Sequence, residues 1–457
     1  MAVQGAATNA DETVVFDLAV VGGGPAGLAT VLAARAQAQH WRVVWCRGPT
    51  RAFIPAYDGN SLVHRLNVPI ERMGLDADAP VDFLSWLQRE HPERDVQPGQ
   101  FVPRRWFGEY LAHRACHADV VERIGEVRGL ASVPSLDARN ASGAGSAWRV
   151  CLDNGASVLA SRIALAVGLP AGLPMPHAPP HWVADPWAWW RDTADESPSL
   201  SARDTVLLVG SGLTAVDMAL GLRERGFGGR IRAVSPGGWP QPHAPASPLD
   251  AGTRAALDAA LDAAVDTGGR ARVVLHAIRS ACSTQSWRAV IDALRASTNP
   301  RWSALPLKEQ RRLLRHAFIV WNTHRHRMAP DVLAALHADA ALTIEPGRVR
   351  VEADGRIVKR HRGAEETLDV ALALDCRGPG FRAALAGDSL LARLVRDGLL
   401  DAHPLGTGVR APSDPNLAVI GAARFGECFE TTAVPELRQQ AVEVVRAWLE
   451  VECATLR

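Results

Sequence analysis

The chain has 457 residues, long enough for two or three domains with a sizeable core. It is 47% apolar and 22% charged, ordinary for a globular protein, and a formal net charge of +1 gives no electrostatic case for nucleic acid or an anionic membrane as partner. Seven scattered cysteines without a CxxC argue against a disulfide framework and a dithiol redox pair, and point to a reducing, cytoplasmic setting. Lysine occurs only at Lys308 and Lys359 beside abundant arginine, which reads as genome composition rather than a phosphate-binding surface. No run of about 20 apolar residues occurs, so no membrane span is expected. Residues 1–13 are polar and small, with neither a basic start nor an apolar stretch, and read as a loose leader rather than a signal peptide.

Val14 to Val21 is almost continuously apolar and predicts a buried parallel strand. The turn Gly22-Gly23-Gly24-Pro25-Ala26-Gly27 follows, then a helix whose Ala26, Ala29, Ala33 and Ala34 permit close packing on a sheet. A strand at Trp41 to Cys46 completes a βαβ unit. Arg47 to Pro69 reads as loop, and Pro80 to Arg114 as partly helical, with DFLSWLQREH amphipathic. Val120 to Arg128 and Trp148 to Leu152 predict strands, with the polar tract SLDARNASGAGSA as a hairpin tip. The glycosylation sequon Asn140-Ala141-Ser142 in that tract is a chance match in a cytosolic chain. Ser161 to Gly168 predicts a buried strand ending in glycine.

A Pro- and Trp-rich connector, Leu169 to Leu200, leads to a second βαβ unit. Its strand is Thr205 to Val209, its turn Gly210-Ser211-Gly212-Leu213-Thr214-Ala215, its helix runs to about Arg225, and its next strand is Arg230 to Val234. Asp250 to Ala340 predicts several helices, an insertion that a minimal dinucleotide fold lacks, suited to a cap or wall. Strands return at Leu342 to Val358, Val370 to Asp375 and Asn416 to Ile420, and a helix closes the chain from about Ala433 to Glu452.

Each glycine turn stands between a strand and a helix, where backbone N–H groups and a helix N-terminus favour a pyrophosphate. Gly22 makes the tight turn, Gly24 admits the phosphates, Gly27 allows helix–strand packing, and Pro25 and Ala26 open the helix. Two such units suggest two dinucleotides, and so redox chemistry through a flavin and a nicotinamide. The competing reading, a generic glycine turn, is weak for the first unit in its full βαβ context. The acid that usually takes the ribose hydroxyls about 20 positions on is missing, because the second strand ends Trp45-Cys46-Arg47. The second unit ends Ser235-Pro236-Gly237, with neither the arginine of an NADP site nor the acid of an NAD site. A retained fold that binds no nicotinamide therefore stays open there.

Candidate cofactor contacts are Gly22, Gly24, Pro25, Ala26, Gly27, Cys46, Arg47, Val127, Ala166 and Gly168 around the first turn. Around the second they are Gly210, Gly212, Leu213, Thr214, Ser235 and Gly378. His324-Arg325-His326-Arg327 makes a poor metal pair, since positions i and i+2 do not share a helix face, so a polar or salt-bridged helix end is the better reading. The tryptophans read mostly as core and domain-interface residues.

The segments FDLAVVGGGPAGLAT, HRLNVPIERM, FVPRRWFGEYL, VLLVGSGLTAVDMAL, WNTHRHRMAP and NLAVIGAARFGECFETTAVPELRQQA resemble the bacterial FAD/NAD(P)-binding proteins of the two-dinucleotide-binding-domain flavoprotein class. That class includes flavin-containing monooxygenases and ornithine or lysine N-hydroxylases. The resemblance implies an α/β fold with two Rossmann-like domains: a glutathione-reductase-like FAD domain, an inserted NAD(P)-type domain, and a helical insertion. The implied shares are 13–195 and 351–457 for FAD, and 200–350 for NAD(P), with helices at 250–340. It adds Leu66, Asn67, Val68 and Arg105 on the flavin side, and Gly421, Glu430, Thr431, Thr432 and Ala433 where the last helix starts near the isoalloxazine. Departures are Pro236-Gly237 in place of arginines, the absent ribose acid, and Arg377 in DCRGPG.

The implied activity is an FAD-dependent, NADPH- or NADH-using monooxygenase working on a small molecule through a flavin C4a-hydroperoxide. The alternatives are an FAD oxidase or dehydrogenase independent of NAD(P)H, and a non-catalytic flavin-binding partner protein. No catalytic side chain and no oligomeric state is assigned.

Overall fold

An apolar strand can be buried on both faces only inside a sheet covered on both sides. In the computed structural model, strand β1 (Val15–Val21) meets that condition, running into helix α1 (Pro25–Gln37) and strand β2 (Val43–Arg47). The structure describes residues 14–48, 55–57, 61–134, 146–168, 174–193, 200–378, 385, 387–410 and 412–455. The leader at 1–13, the tract at 135–145 with its sequon, and Pro379-Gly380 of DCRGPG lie outside the described residues.

Helices α2 (Asp82–Glu90) and α3 (Arg104–Cys116) precede strands β3 (Val121–Ile124), β4 (Val127–Pro134), β5 (Ser146–Leu152) and β6 (Ser157–Leu165). The stretch expected as continuous from Val120 to Arg128 breaks at Gly125, whose φ of +154° suits glycine. The first sheet runs β3-β2-β1-β6-β5-β4, parallel from β3 to β6, with antiparallel hairpin pairs joining β4, β5 and β6.

The second unit comprises β7 (Trp182–Val183), α4 (Pro186–Asp192), β8 (Thr205–Val209), α5 (Leu213–Glu224) and β9 (Arg230–Ser235). Among the described residues, seven helices follow, from α6 (Ala251–Asp266) to α12 (Pro330–Ala338). Then come β10 (Leu342–Pro346), the small antiparallel sheet of β11 (Arg348–Val351), β12 (Ile357–His361) and β13 (Ala364–Leu368), and β14 (Leu372–Asp375). The second sheet runs β10-β9-β8-β14-β7, all parallel. It therefore draws on Trp182–Val183 and Leu372–Asp375, outside the span 200–350 expected for it. The small sheet, expected with the FAD share, packs Ile357 and Leu368 against Leu207, Val234 and Ala373 of the second. The sequence marked Leu372–Asp375 and the stretch through β11 as strand, but read Trp182–Val183 as connector and gave no strand at Ala364–Leu368; the partners are set by tertiary pairing.

Helix α13 (Leu390–Arg396) and strand β15 (Leu417–Val419) return the chain to the first sheet, where β15 pairs with β6, and α14 (Val434–Thr455) closes it. Helices α1 and α14 share one core with Leu28, Trp41, Trp45, Ala441 and Val445. The second nucleotide unit is thus inserted into the first. No described helix is long and apolar enough to cross a membrane.

Candidate functional site

The first glycine turn opens on a cavity of about 530 Å³, within the range of small-molecule and cofactor sites. Gly22 to Ala26 line it from the turn, and Cys46, Arg47 and Gly48 from the end of β2. Val127, Ala166 and Gly168 add the neighbouring strand ends, Ile420 the end of β15, and Thr432 and Leu437 the start of α14. Gly24 is the N-cap of α1, and no side chain caps that end. The first-turn amides thus lack a side-chain partner and sit at the positive end of the helix dipole, as an anion requires.

The turn is held by contacts that allow no side chain. Gly22 has φ +124°, and a Cβ there would fall 2.3 Å from the Ala166 carbonyl oxygen. A Cβ on Gly27 would fall 2.0 Å from the Gly22 oxygen. Trp45 on β2 donates its indole N–H to that same oxygen at 2.9 Å. The Cys46 thiol, pushed up to about 12 by burial, is a neutral wall. The Arg47 guanidinium is bound to Glu122 at 2.6 Å.

The end of β2 carries no acid, but a carboxylate from elsewhere in the chain reaches the cavity there. Glu126, just before β4, lines the cavity, and a Cβ on Gly48 would come 2.4 Å from its Oε1. Gly48 thus leaves room for a carboxylate carried on another strand. Sequence spacing could not find it, because only the pairing of β3 with β2, with Ile124 opposite Arg47, brings Glu126 to Gly48.

At the other end, the Gly421 N–H donates to Gln440 Oε1 at 3.0 Å, and Thr431 Oγ1 donates to the Gly421 carbonyl at 2.8 Å. Gln440 Nε2 donates to Thr431 Oγ1 at 2.9 Å, so Thr431 is a buried clasp while Thr432 faces the cavity. The Ala433 carbonyl accepts the N–H groups of Glu436 and Leu437 and so caps α14. Glu430 is buried, 2.9 Å from Arg325, and accepts the Trp321 indole N–H at 3.0 Å. Burial pushes its carboxyl up, and Arg325 opposes the shift.

Leu66, Asn67, Val68 and Arg105 stand outside this lining. Leu66 is in the core, the Asn67 carbonyl contacts His243 Nε2 at 2.9 Å, Val68 packs against the core, and Arg105 pairs with Glu109 at 3.3 Å. They lie near the joint between the two nucleotide units, where His64 is buried against Trp187 and Trp190. Burial holds His64 near 3, hence neutral.

The second turn has the same backbone design. Gly210 has φ +108°, and Gly212 N-caps α5 without a side-chain cap, so Leu213 and Thr214 form the first helical turn. Ser211 Oγ donates to the Gly238 carbonyl at 2.9 Å. Ser235 is buried at the end of β9 and accepts the Gly237 N–H at 3.2 Å. Gly378, with φ +83°, follows Arg377, which Asp375 holds at 2.8 Å. Of the two arginines on β9, Arg232 is taken up by Glu345 at 2.7 Å and Glu366 at 2.8 Å, and with Lys359 it holds the Glu345 carboxyl down near 2.

In the His324–Arg327 stretch, Arg325 pairs with Glu430 and Glu436, and Arg327 with Asp292 at 3.0 Å. Among the described residues, no group of three or more His, Cys, Asp and Glu is placed to hold a metal ion.

Residues 19–170 match the family model described as FAD-NAD(P)-binding, a span that contains the first glycine turn and Glu126. No curated protein matches the chain. Among solved structures, the chain is similar to the ornithine N-hydroxylase of Kutzneria sp. 744 with reduced FAD, NADP+ and L-ornithine, at 16% identity and a TM-score of 0.62, covering 96% of this chain and 100% of that one. The ornithine hydroxylase of Pseudomonas aeruginosa in its reduced form matches at 15% identity and a TM-score of 0.61, covering 95% and 98%. The L-lysine 6-monooxygenase of Pseudomonas syringae matches at 16% and 0.57, covering 94% and 99%. At such identities the likeness is one of fold. The fold is that of the two-dinucleotide-binding-domain flavoproteins, as the sequence resemblance implied.

Proposed function

We propose that the protein is an FAD-dependent oxidoreductase of monooxygenase type, reduced by NADPH or NADH and acting on a small molecule. The observation that carries this reading is the uncapped, glycine-floored start of α1 at a cofactor-sized cavity, repeated in backbone design at α5. The family match over 19–170 and the fold shared with hydroxylases and monooxygenases support it. Bound FAD supplies two-electron redox chemistry and oxygen activation.

The chain's own residues would act by binding and orientation. The Gly24 and Ala26 N–H groups would hold the diphosphate (Pro25 between them has none), Glu126 would take the ribose hydroxyls, and the start of α14 at Thr432 to Val434 would offer its positive dipole end to negative charge on the flavin. Leu66, Asn67, Val68 and Arg105 act through the joint between the units. A nicotinamide coenzyme docks on Gly210, Gly212, Leu213, Thr214, Ser235 and Gly378.

Anaerobic mixing with NADPH or NADH tests the reading. Bleaching of the visible flavin absorbance, with recovery on admitting O₂, is expected. A yellow protein that neither coenzyme bleaches would reject the monooxygenase route. It would leave the second reading, an FAD oxidase or dehydrogenase reduced by its own substrate, which the engagement of Arg232 by Glu345 and Glu366 favours.

The role of Glu126 gives a separate expectation. Glu126→Ala removes a charge-assisted contact worth about 1.5–3 kcal/mol, so FAD should bind roughly 10- to 100-fold more weakly. Fluorescence titration of flavin-stripped protein measures it, and unchanged affinity would place the ribose contact elsewhere.

A further inference from the structure

A separate cavity, of about 390 Å³, lies between α1, α14, the end of α3 and the segment Leu75–Asp78. Its lining shares no residue with that of the nucleotide cavity, and its volume is within the range of small-molecule sites. Helices α1 and α14 run side by side in the same direction. Ala26 and Leu437, near their starts, line the nucleotide cavity together, and Trp41, just beyond α1, donates its indole N–H to Glu452 of α14 at 2.9 Å. The later turns of both helices, Ala29 to Gln37 and Arg438 to Arg446, therefore wall the second cavity level with each other.

The two ends of this cavity differ in charge. Toward the helix starts the cations are already engaged. Arg438 donates to the Gly74 carbonyl at 2.6 Å, and Arg114 is bound to Asp82 at 2.7 Å and lies 3.9 Å from Asp76. The Asp78 N–H donates to Asp76 at 3.0 Å, so two carboxylates stand at this end. Toward the helix ends Arg35 is bound to Asp119 at 3.0 Å, but Arg446 and Gln37 make no hydrogen bond or ion pair among the described residues. That end offers a cation and N–H donors without an acceptor. Between the ends the wall is apolar, built from Ala29, Leu32, Ala33, Leu75 and Val442. Arg438 and Arg446 are eight positions apart on one helix, about 12 Å along its axis.

We propose that this cavity binds a small amphipathic carboxylate. The acid group pairs with Arg446 and Gln37, and an unbranched hydrocarbon body lies along the apolar wall. A guanidinium fork matches a carboxylate in bidentate geometry. The apolar wall rewards hydrocarbon and gives a second charge no partner, and Asp76 and Asp78 repel an anion at the opposite end. The site stands apart from the flavin chemistry and holds whether or not a coenzyme reduces the flavin. A ligand seated here braces the two helices whose first turns wall the nucleotide cavity.

Calorimetric titration of the holoprotein with sodium octanoate, sodium butanoate, octylammonium chloride and inorganic phosphate tests the assignment. Octanoate should bind saturably and at least tenfold more tightly than butanoate, since each buried methylene strengthens binding about fourfold. Octylammonium and phosphate should show no saturable binding. Arg446→Gln removes the cation and Ala36→Trp fills the cavity from α1, and each should weaken octanoate at least tenfold. Both residues are exposed on their helices, so the fold should be kept. Lys308→Gln, which removes an exposed charge in the helical block, should leave octanoate binding unchanged. Absence of saturable octanoate binding overturns the proposal, as does equal binding of butanoate, octylammonium or phosphate. So does octanoate binding left unchanged by Arg446→Gln or by Ala36→Trp, or weakened as much by Lys308→Gln.

Discussion

Gly22→Ala should yield a colourless protein that does not take up FAD and unfolds at a lower temperature. Two physical costs combine. The φ of +124° is one an L-residue rarely adopts, at ~1–3 kcal/mol. The new Cβ would also lie 2.3 Å from the Ala166 carbonyl oxygen, so β6 and the turn would have to separate. Backbone cannot yield as a flexible side chain does, and the displacement carries through the Gly22 oxygen to the Trp45 indole and the packing of Gly27. A loss of more than about 100-fold in FAD affinity corresponds to roughly 3 kcal/mol, within reach of these terms together. The matched control is Gly129→Ala on β4, where an added Cβ meets no atom within 4 Å and FAD uptake should be unchanged. Flavin-to-protein absorbance ratio and calorimetry measure both. Normal flavin content in Gly22→Ala would mean that the turn does not hold the cofactor.

The contrast between these two glycines shows what the sequence made legible. Gly22, Gly24 and Gly27 stood out because backbone chemistry fixes their spacing locally, within one strand–turn–helix unit. The same holds for Gly210 and Gly212, and for the apolar periods behind β1, β8 and α5. Contacts that cross the chain left no such mark. Glu126 reaches the end of β2 from just past its paired strand β3, Gln440 clasps Gly421 from the second turn of α14, and Trp45 pins the turn it follows. The strand order of the second sheet was hidden for the same reason: Leu372–Asp375 reads as a strand, but only folding shows that it lies between β8 and β7. The helical block was visible as helices by periodicity.

The joint between the two units carries the other large expected effect. Arg104, the first residue of α3, lies 3.0 Å from Asp217 of α5, and both are buried. Arg104→Met would leave the Asp217 carboxylate without its counter-charge, and breaking a buried pair from one side costs about 3–5 kcal/mol. Arg104→Met with Asp217→Leu removes both charges and should recover most of that loss, since an apolar pair of similar volume is often neutral or stabilising. The pH dependence has a definite sign. Burial already raises Asp217 to about 6, above its ordinary 3.8, with Arg104 opposing the rise. Without Arg104 the folded-state value climbs further, so the folded state binds the proton more tightly than the unfolded chain. The single variant should therefore gain stability relative to the parent as pH falls through that raised value, and be weakest above it. Helix α5 begins at the second glycine turn, so a loosened joint displaces the coenzyme site relative to the first cavity. Flavin content in Arg104→Met should stay near that of the parent while the rate of bleaching by coenzyme falls at least tenfold, and the double variant should regain stability. Equal rates in the parent and Arg104→Met would show that the pair plays no part in aligning the two nucleotide units.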